Sequence, residues 1–116
     1  MAPGTHINAA GSNSLLRREI DEETVRKAAV VVVDSRPSAQ KEAGDLLPAL
    51  EKGRLHIGAL TELGEVIAGT RPGRTSVEQV TLFESQGMAM QDLVIAAELA
   101  RLARAQGVGQ EVDIGS

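Results

Sequence analysis

The sequence contains no cysteine, tryptophan or tyrosine, and Phe83 is its one aromatic residue. Without cysteine the chain has no disulfide, no thiolate zinc site and no cysteine nucleophile. Because aromatic side chains are nearly absent, the core must be built from Ala, Val, Leu and Ile, which suits close packing of helices on a sheet. The formal net charge of −4, with no basic run and no stacking aromatics, argues against a nucleic-acid partner.

Long apolar runs are also missing. No segment reaches the length of a membrane span, and the N-terminus lacks the charged-then-apolar pattern of a secretion signal. We therefore predict a cytoplasmic protein with no membrane partner. The two histidines, His6 and His56, lie about 50 residues apart without ligand spacing around either, so no metal site is predicted. No G-x-G-x-x-G motif follows a strand, so the dinucleotide fingerprint is absent as well.

What the 116 residues do contain is the composition of one globular domain, with 42% apolar and 24% charged residues. Residues 5–10 are predicted to form a strand, because Ile7 and Ala9 alternate with more polar neighbours. The small polar residues 11–14 then end the strand. They are interpreted either as a plain turn, which composition favours, or as a ligand loop at the carboxyl end of a strand in an open α/β sheet.

The clearest strand is predicted over residues 29–35, where four consecutive valines suit a strand buried on both faces of a parallel sheet. The helix before it begins at the cap Asp21 and runs to about residue 27 or 28, which gives a strand–helix–strand unit. Further elements are predicted with less regular patterns: helical segments over 38–43 after the cap Ser35, over 45–52, and over 62–68 after the cap Thr61; a short apolar segment over 55–58; and a strand over 79–84.

The longest helix is predicted from Met88 to about Gln106. Its apolar side chains cover well over half of the circumference, so it requires burial on two sides. The sheet of this chain is expected to cover one side, and the other side needs a surface that the sequence does not supply. Residues 110–114 are interpreted as a possible terminal strand that lacks a partner edge.

Six segments, taken together and in order, resemble the C-terminal half of the ornithine cyclodeaminase/mu-crystallin family: residues 6–13, 18–21, 32–35, 42–46, 63–69 and 81–92. The resemblance implies an α/β fold, namely the C-terminal half of a doubly wound Rossmann-type domain followed by a long helix. Residues 1–116 would be part of the NAD(P)-binding domain, and residues 88–116 would return toward a dimerisation and substrate domain. The implied chemistry is hydride transfer between NAD or NADP and the α-carbon of a small amino or imino acid, as in dehydrogenases, ketimine reductases and cyclodeaminases.

The resemblance also implies roles for individual residues by position. Asn13 and Gln86 would face the substrate. In cyclodeaminases the place of Asn13 is an aspartate thought to act in acid–base chemistry, and Asn cannot take up a proton at neutral pH. As a catalytic position Asn13 is therefore substituted, which favours reductase or dehydrogenase chemistry over cyclodeamination. The implied cofactor contacts are Ala10, Gly11, Ser12, Asn13, Arg17 and Ser85.

The family's glycine-rich phosphate loop and its substrate-carboxylate residues lie upstream of the stretch present here. The chain is therefore expected to be a fragment, and three functions stay open. It is part of an NAD(P)-dependent oxidoreductase or cyclodeaminase that needs its missing half. Alternatively, it is an inactive remnant that acts as an oligomerisation or interaction module, or it is a free-standing small-molecule binding domain. A partly exposed apolar face and a homo-oligomer are expected.

Overall fold

The computed structural model describes residues 1–113 and shows a four-stranded parallel sheet with helices. This confirms the predicted α/β class, with a long C-terminal helix. The strands stand in the spatial order β1-β4-β2-β3, and they are β1 His6–Ala9, β2 Val30–Val33, β3 Thr61–Glu62 and β4 Thr81–Glu84. The helices are α1 Glu22–Lys27, α2 Arg36–Glu42, α3 Leu47–Glu51, α4 Leu63–Ile67 and α5 Ala89–Gln106, and a single 3-10 turn spans Ile57–Ala59.

The order of the strands differs from a simple strand–helix–strand unit. β1 and β2 are parallel, but β4 lies between them and pairs with both. Ala9 and Val33 therefore both stand opposite Glu84, one on each side of β4. A strand that arrives 75 residues after β1 in the chain cannot be placed at this position from local sequence, because its neighbours are set by tertiary packing.

The valine-rich strand was predicted correctly, but only one of its two faces is fully buried. Val31 and Val33 are buried, whereas Val30 and Val32 are only half-buried. On the side of the half-buried pair, an apolar cavity of about 340 Å³ lies against Val30, Val32 and Phe83. The second face of the sheet is therefore only partly covered by the described residues.

The buried core contains no aromatic side chain, as the composition predicted. Small aliphatic residues from the sheet and from α1, α2 and α3 pack together, which allows close approach of helix to strand. The cluster consists of Ala9, Val25, Val31, Val33, Ala39, Ala43, Leu46, Ala49, Leu60 and Leu82.

Two of the three predicted helix caps are confirmed. The side chain of Asp21 accepts from the backbone N–H of Thr24 at 2.7 Å, and Ser35 accepts from that of Ser38 at 3.4 Å. The third prediction is wrong, because Thr61 belongs to β3 and α4 is capped by Glu62, whose N–H donates to Glu65 Oε2 at 2.9 Å. The sequence did not predict β3, which has only two residues and therefore too short a pattern to recognise.

Helix α5 has the predicted extent but not the predicted packing. The expectation that the sheet covers one side of it is wrong, because its large apolar side chains are exposed; Leu93 is 63% and Leu99 60% accessible. The helix leaves the body of the domain after Gly87, which has a φ of 77°. Of the possible terminal strand, residues 110–113 are not extended into a sheet, and Ile114 lies outside the described residues.

Candidate functional site

Three parallel strands that lie side by side bring their following loops to one edge of the sheet. The loops follow β1, β4 and β2, and the backbone N–H of Ser85 donates to the carbonyl of Ala9 at 2.8 Å. The structure therefore places the ends of β1 and β4 next to each other. In open α/β sheets this carboxyl edge is where ligands bind.

The loop after β4 is held by a single carboxylate from the end of β2. Asp34 Oδ2 accepts from the hydroxyl of Ser85 at 2.6 Å and from the N–H of Gly87 at 3.0 Å. Asp34 Oδ1 accepts from Gln91 Nε2 at 3.0 Å, at the start of α5. Asp34 thereby fixes the position of Ser85 and the beginning of α5.

The loop after β1 uses its polar groups to hold its own shape. The N–H of Gly11 donates to Glu19 Oε1 at 2.8 Å, and a Cβ on Gly11 would lie 2.2 Å from Glu19 Oε2. The hydroxyl of Ser12 donates to the carbonyl of Arg17 at 2.9 Å, and Ser12 is only 5% exposed. Because the N–H of Gly11 and the hydroxyl hydrogen of Ser12 are already paired, these residues can pack against a ligand more readily than they can donate a hydrogen bond to it.

The remaining predicted residues differ in their access to solvent. Ala10, Asn13 and Arg17 are exposed, and Ser85 is half-buried. Gln86 is 8% exposed, and its Nε2 donates to Glu84 Oε1 at 3.2 Å, so its amide lies beneath the surface of the site. The cofactor and substrate contacts assigned to these residues stay predictions.

Two buried acids below the loops were missed by sequence reasoning. Glu84 is 0% and Asp45 is 1% exposed. Burial, followed by the charge of the neighbouring Asp45, raises the pKa of Glu84 to about 8. Asp45 Oδ1 accepts from the backbone N–H groups of Glu19 at 2.8 Å and Ile20 at 3.0 Å. The available indication was the period of two along β4, which places Glu84 on the same face as the buried Leu82.

The arrangement is a surface of adjoining loops on rigid strands. Among residues 1–113, no group of three or more His, Asp or Glu side chains could hold a metal ion. In the same part of the chain, no helix combines the length and the apolar character needed to cross a membrane. The predicted cytoplasmic location stays a prediction.

An open parallel sheet with its loops at the carboxyl edge defines a Rossmann-type α/β domain, and the described residues form a four-stranded sheet of this kind. The family model for the ornithine cyclodeaminase/mu-crystallin family matches residues 1–105, and the chain belongs to that family. This confirms the resemblance found in the sequence.

Individual relatives agree with the family assignment. The chain is 37% identical over 111 residues to a delta(1)-pyrroline-2-carboxylate reductase from Bacillus cereus, which covers 95% of this chain and 34% of the relative. It is 47% identical over 96 residues to the ketimine reductase mu-crystallin of Mus musculus, covering 81% of this chain and 27% of the relative. The chain therefore spans about a third of the length of the curated relatives it matches.

The fold is also similar to that of a solved structure with ligands. It matches the delta(1)-pyrroline-2-carboxylate reductase of Thermococcus litoralis, solved in complex with NADH and L-proline, with a TM-score of 0.85 and 38% identity. The match covers 97% of this chain and 35% of that one.

Proposed function

We propose that this chain supplies one wall of the cofactor and substrate site of an NAD(P)-dependent reductase or dehydrogenase acting on a small imino or amino acid. The observation that carries the proposal is the side-by-side placement of the loops after β1 and β4, fixed by the bond from Ser85 N–H to the carbonyl of Ala9. Support comes from the 38% identity to a reductase solved with NADH and L-proline. The parts of the site that this chain lacks would come from the rest of such an enzyme.

The residues present fit a flat, polar cofactor at this edge. Ala10 and Gly11 carry little or no side chain and form a low surface on which a ring can pack, while the exposed Arg17 offers a positive charge to an anionic group. Asp34 accepts the hydroxyl hydrogen of Ser85 and the N–H of Gly87 approaches the same hydroxyl oxygen at 3.3 Å, so one lone pair of that oxygen stays available to a donor on the ligand. The choice between NAD and NADP is left open in this proposal.

Bound NAD(P)H would supply a hydride to the carbon of a C=N bond, while the nitrogen takes up a proton and an amine results. Asn13 is exposed next to this surface and has one amide group, which can donate to or accept from a substrate. Because an amide does not titrate at neutral pH, Asn13 can orient the substrate but cannot deliver the proton. This favours imine reduction, or the reverse amino-acid dehydrogenation, over cyclodeamination at this site.

A second candidate function rests on α5. Its exposed apolar side chains, with Met90 60% and Ile95 59% accessible, favour an inactive remnant that acts as an oligomerisation or interaction module. In an active enzyme the same helix would be covered by a further domain or by a second copy of the chain. The two candidates therefore differ in cofactor affinity and share the expectation of self-association.

Cofactor binding tests the proposal directly. NADH and NADPH are titrated into the full chain, and the nicotinamide emission is followed; the chain has no tryptophan or tyrosine to interfere. We expect saturable binding on the order of micromolar, weakened by Ser85→Ala and unchanged by the surface control Glu51→Gln. If the folded chain shows no saturable binding and forms a stable dimer by light scattering, the first proposal fails and the second is supported.

A further inference from the structure

Beneath the site, three buried oxygen atoms have no hydrogen-bond partner among residues 1–113. They are Asp45 Oδ2, Glu84 Oε2 and Gln86 Oε1, on residues that are 1%, 0% and 8% exposed. Buried polar atoms in folded proteins are nearly always paired, because leaving one unpaired costs on the order of 1–3 kcal/mol. Three acceptors in one cluster indicate that a donor is present which heavy-atom positions do not show.

The charged groups around this cluster exclude an ordinary salt bridge. The groups that act on Glu84 are Asp45 from the segment before α3, Glu19 from the loop after β1, and the amide of Gln86 from its own strand end. Both titratable neighbours are acids. Two carboxylates in contact at low dielectric cannot both be ionised, so one of them retains its proton. A protonated carboxyl group has an O–H, which pairs Glu84 Oε2 with Asp45 Oδ2 and leaves Gln86 Oε1 as the remaining unpaired oxygen of the three.

We propose that Glu84 and Asp45 share one buried proton, and that this carboxyl–carboxylate pair holds the loop after β1 against the end of β4. Asp45 Oδ1 already accepts from the N–H groups of Glu19 and Ile20, so its Oδ2 is the oxygen left to accept the shared proton. Glu84 has only the amide of Gln86 as a donor, at 3.2 Å, and is the neutral member. Both are positioning residues and touch no ligand themselves.

The pair connects the two loops of the candidate site. On one side, Asp45 holds the backbone of Glu19, whose side chain accepts from the N–H of Gly11. On the other side, Glu84 directly precedes Ser85 in the chain and stands opposite Ala9 in the sheet. Loss of the proton would leave two facing carboxylates, which repel each other and separate the loops.

The effect of pH on stability follows from the direction of the shift. Burial and Asp45 raise the pKa of Glu84 from 4.5 to about 8 in the folded chain. Between these values the folded chain holds one more proton than the unfolded chain. The contribution of Glu84 to the free energy of unfolding is therefore fully present below pH 4.5 and declines as pH rises toward 8. For one proton, the unfolding equilibrium constant rises by up to about tenfold per pH unit in this window.

Isosteric replacement of Glu84 tests the pair without reference to cofactor. Urea unfolding is measured from pH 5 to pH 9 for the wild-type chain, for Glu84→Gln and for the surface control Glu51→Gln. The amide of Gln mimics the neutral acid and does not titrate, so Glu84→Gln should lose the decline above pH 5, whereas Glu51→Gln should keep it. An unchanged slope in Glu84→Gln would overturn the proposal.

A spectroscopic measurement identifies the proton itself. In infrared spectra at pH 6, the wild-type chain should show a protonated-carboxyl C=O band that Glu84→Gln lacks. Asp45→Asn should lower the pKa of Glu84, measured by the side-chain carboxyl carbon in NMR, because it removes the facing charge. A band that persists in Glu84→Gln, or a Glu84 carboxyl that titrates near 4.5 in the wild-type chain, contradicts the pair.

The effect on ligand binding is the one part that rests on the proposed function. NADH affinity should fall as pH rises through 8 in the wild-type chain and stay level in Glu84→Gln. If NADH does not bind at all, the proposed function fails while the unfolding and infrared results still decide whether the pair exists. If NADH binds with the same pH profile in both chains, the pair does not position the loop.

Discussion

The hydroxyl of Ser85 lies 2.6 Å from Oδ2 of Asp34, a residue 51 positions earlier in the chain. The bond joins the exit of β4 to the exit of β2, and the same oxygen also accepts from the N–H of Gly87. One carboxylate thus determines where the loop turns and where α5 begins. A charged acceptor with several donors is among the stronger hydrogen-bonding arrangements in proteins.

Replacing this acceptor should loosen the loop after β4. Asp34→Ala removes the acceptor altogether, so the bonds from Ser85, Gly87 and Gln91 are all lost. We expect the free energy of unfolding to fall by about 1–3 kcal/mol, measured by urea denaturation at pH 7. Ser85→Ala removes two bonds, the one to Asp34 and the longer one from the N–H of Gly87 at 3.3 Å, and should cost less. Equal stability of Asp34→Ala and the wild-type chain contradicts this account.

Gly44 is predicted to be intolerant of any side chain. A Cβ at this position would lie 2.2 Å from the carbonyl oxygen of Arg17 and 2.5 Å from that of Ser14, both backbone atoms that cannot move alone. Gly44→Ala should therefore lower the free energy of unfolding by about 1–3 kcal/mol through overpacking.

Gly58 provides the matched control for this substitution. A Cβ there meets nothing within 4 Å, so Gly58→Ala should leave the thermal midpoint nearly unchanged or raise it slightly. The two variants are compared by thermal denaturation followed by circular dichroism. Similar midpoints for both would mean that the loop after β1 does not contact Gly44 as closely as described.

The ion pair between Arg36 and Glu65 should stabilise the chain only above a certain pH. A hydrogen bond from Arg36 lowers the pKa of Glu65 below its ordinary 4.5. Arg36 Nε also donates to the carbonyl of Leu60 at 2.9 Å, which ties α2 to the start of β3. The contribution of the pair is present above pH 4.5 and is lost as pH falls through the lowered pKa.

Arg36→Gln tests this dependence. The variant should be less stable than the wild-type chain at pH 7, and the difference should shrink as pH falls through the lowered pKa of Glu65. Arg101→Gln is the control, because Arg101 pairs with Glu98 on the exposed surface of α5, where ion pairs contribute little. A difference between wild type and Arg36→Gln that is independent of pH would assign the stabilisation to the bond with Leu60 alone.

Self-association should depend on the apolar surface of α5. The double variant Leu93→Lys/Leu99→Lys places two charges on side chains that are 63% and 60% accessible in the single chain. We expect the apparent mass from light scattering to rise with concentration for the wild-type chain and to stay monomeric for the double variant. Gln106→Lys, near the end of the same helix, should behave as the wild-type chain does. Loss of association in Gln106→Lys too would point to net charge instead of the apolar surface.

Local sequence patterns were sufficient for most elements of the sheet and helices. The valines of β2, the alternation in β1 and β4, and the caps Asp21 and Ser35 each act through neighbours within a few residues, so they can be recognised without a structure. The insertion of β4 between β1 and β2 could not, because it depends on packing over long distances in the chain. The packing of α5 was predicted incorrectly for a related reason: an apolar helix shows that it needs cover, but not where that cover is.

Local sequence patterns likewise indicated some features of the candidate site and not others. The loop after β1 was interpreted as one possible ligand loop, and its adjacency to the loop after β4 follows from the register of Ala9 with Glu84. The roles of Asp34 and Asp45 were missed, because a carboxylate that binds backbone N–H groups far away in sequence has no local pattern. Glu84 could have been noticed, since strand alternation placed an acid on the buried face.

The position of β4 between two other strands determines how fast its backbone amides exchange with solvent. Its backbone amides are protected on both sides by β1 and β2, whereas β1 has no second strand beside it among residues 1–113. In hydrogen–deuterium exchange, β4 should therefore be the slowest segment to exchange and β1 a faster one. The loop that begins at Ser85 follows the strand expected to open least often. Local opening of the edge strand β1 therefore leaves the start of this loop in place.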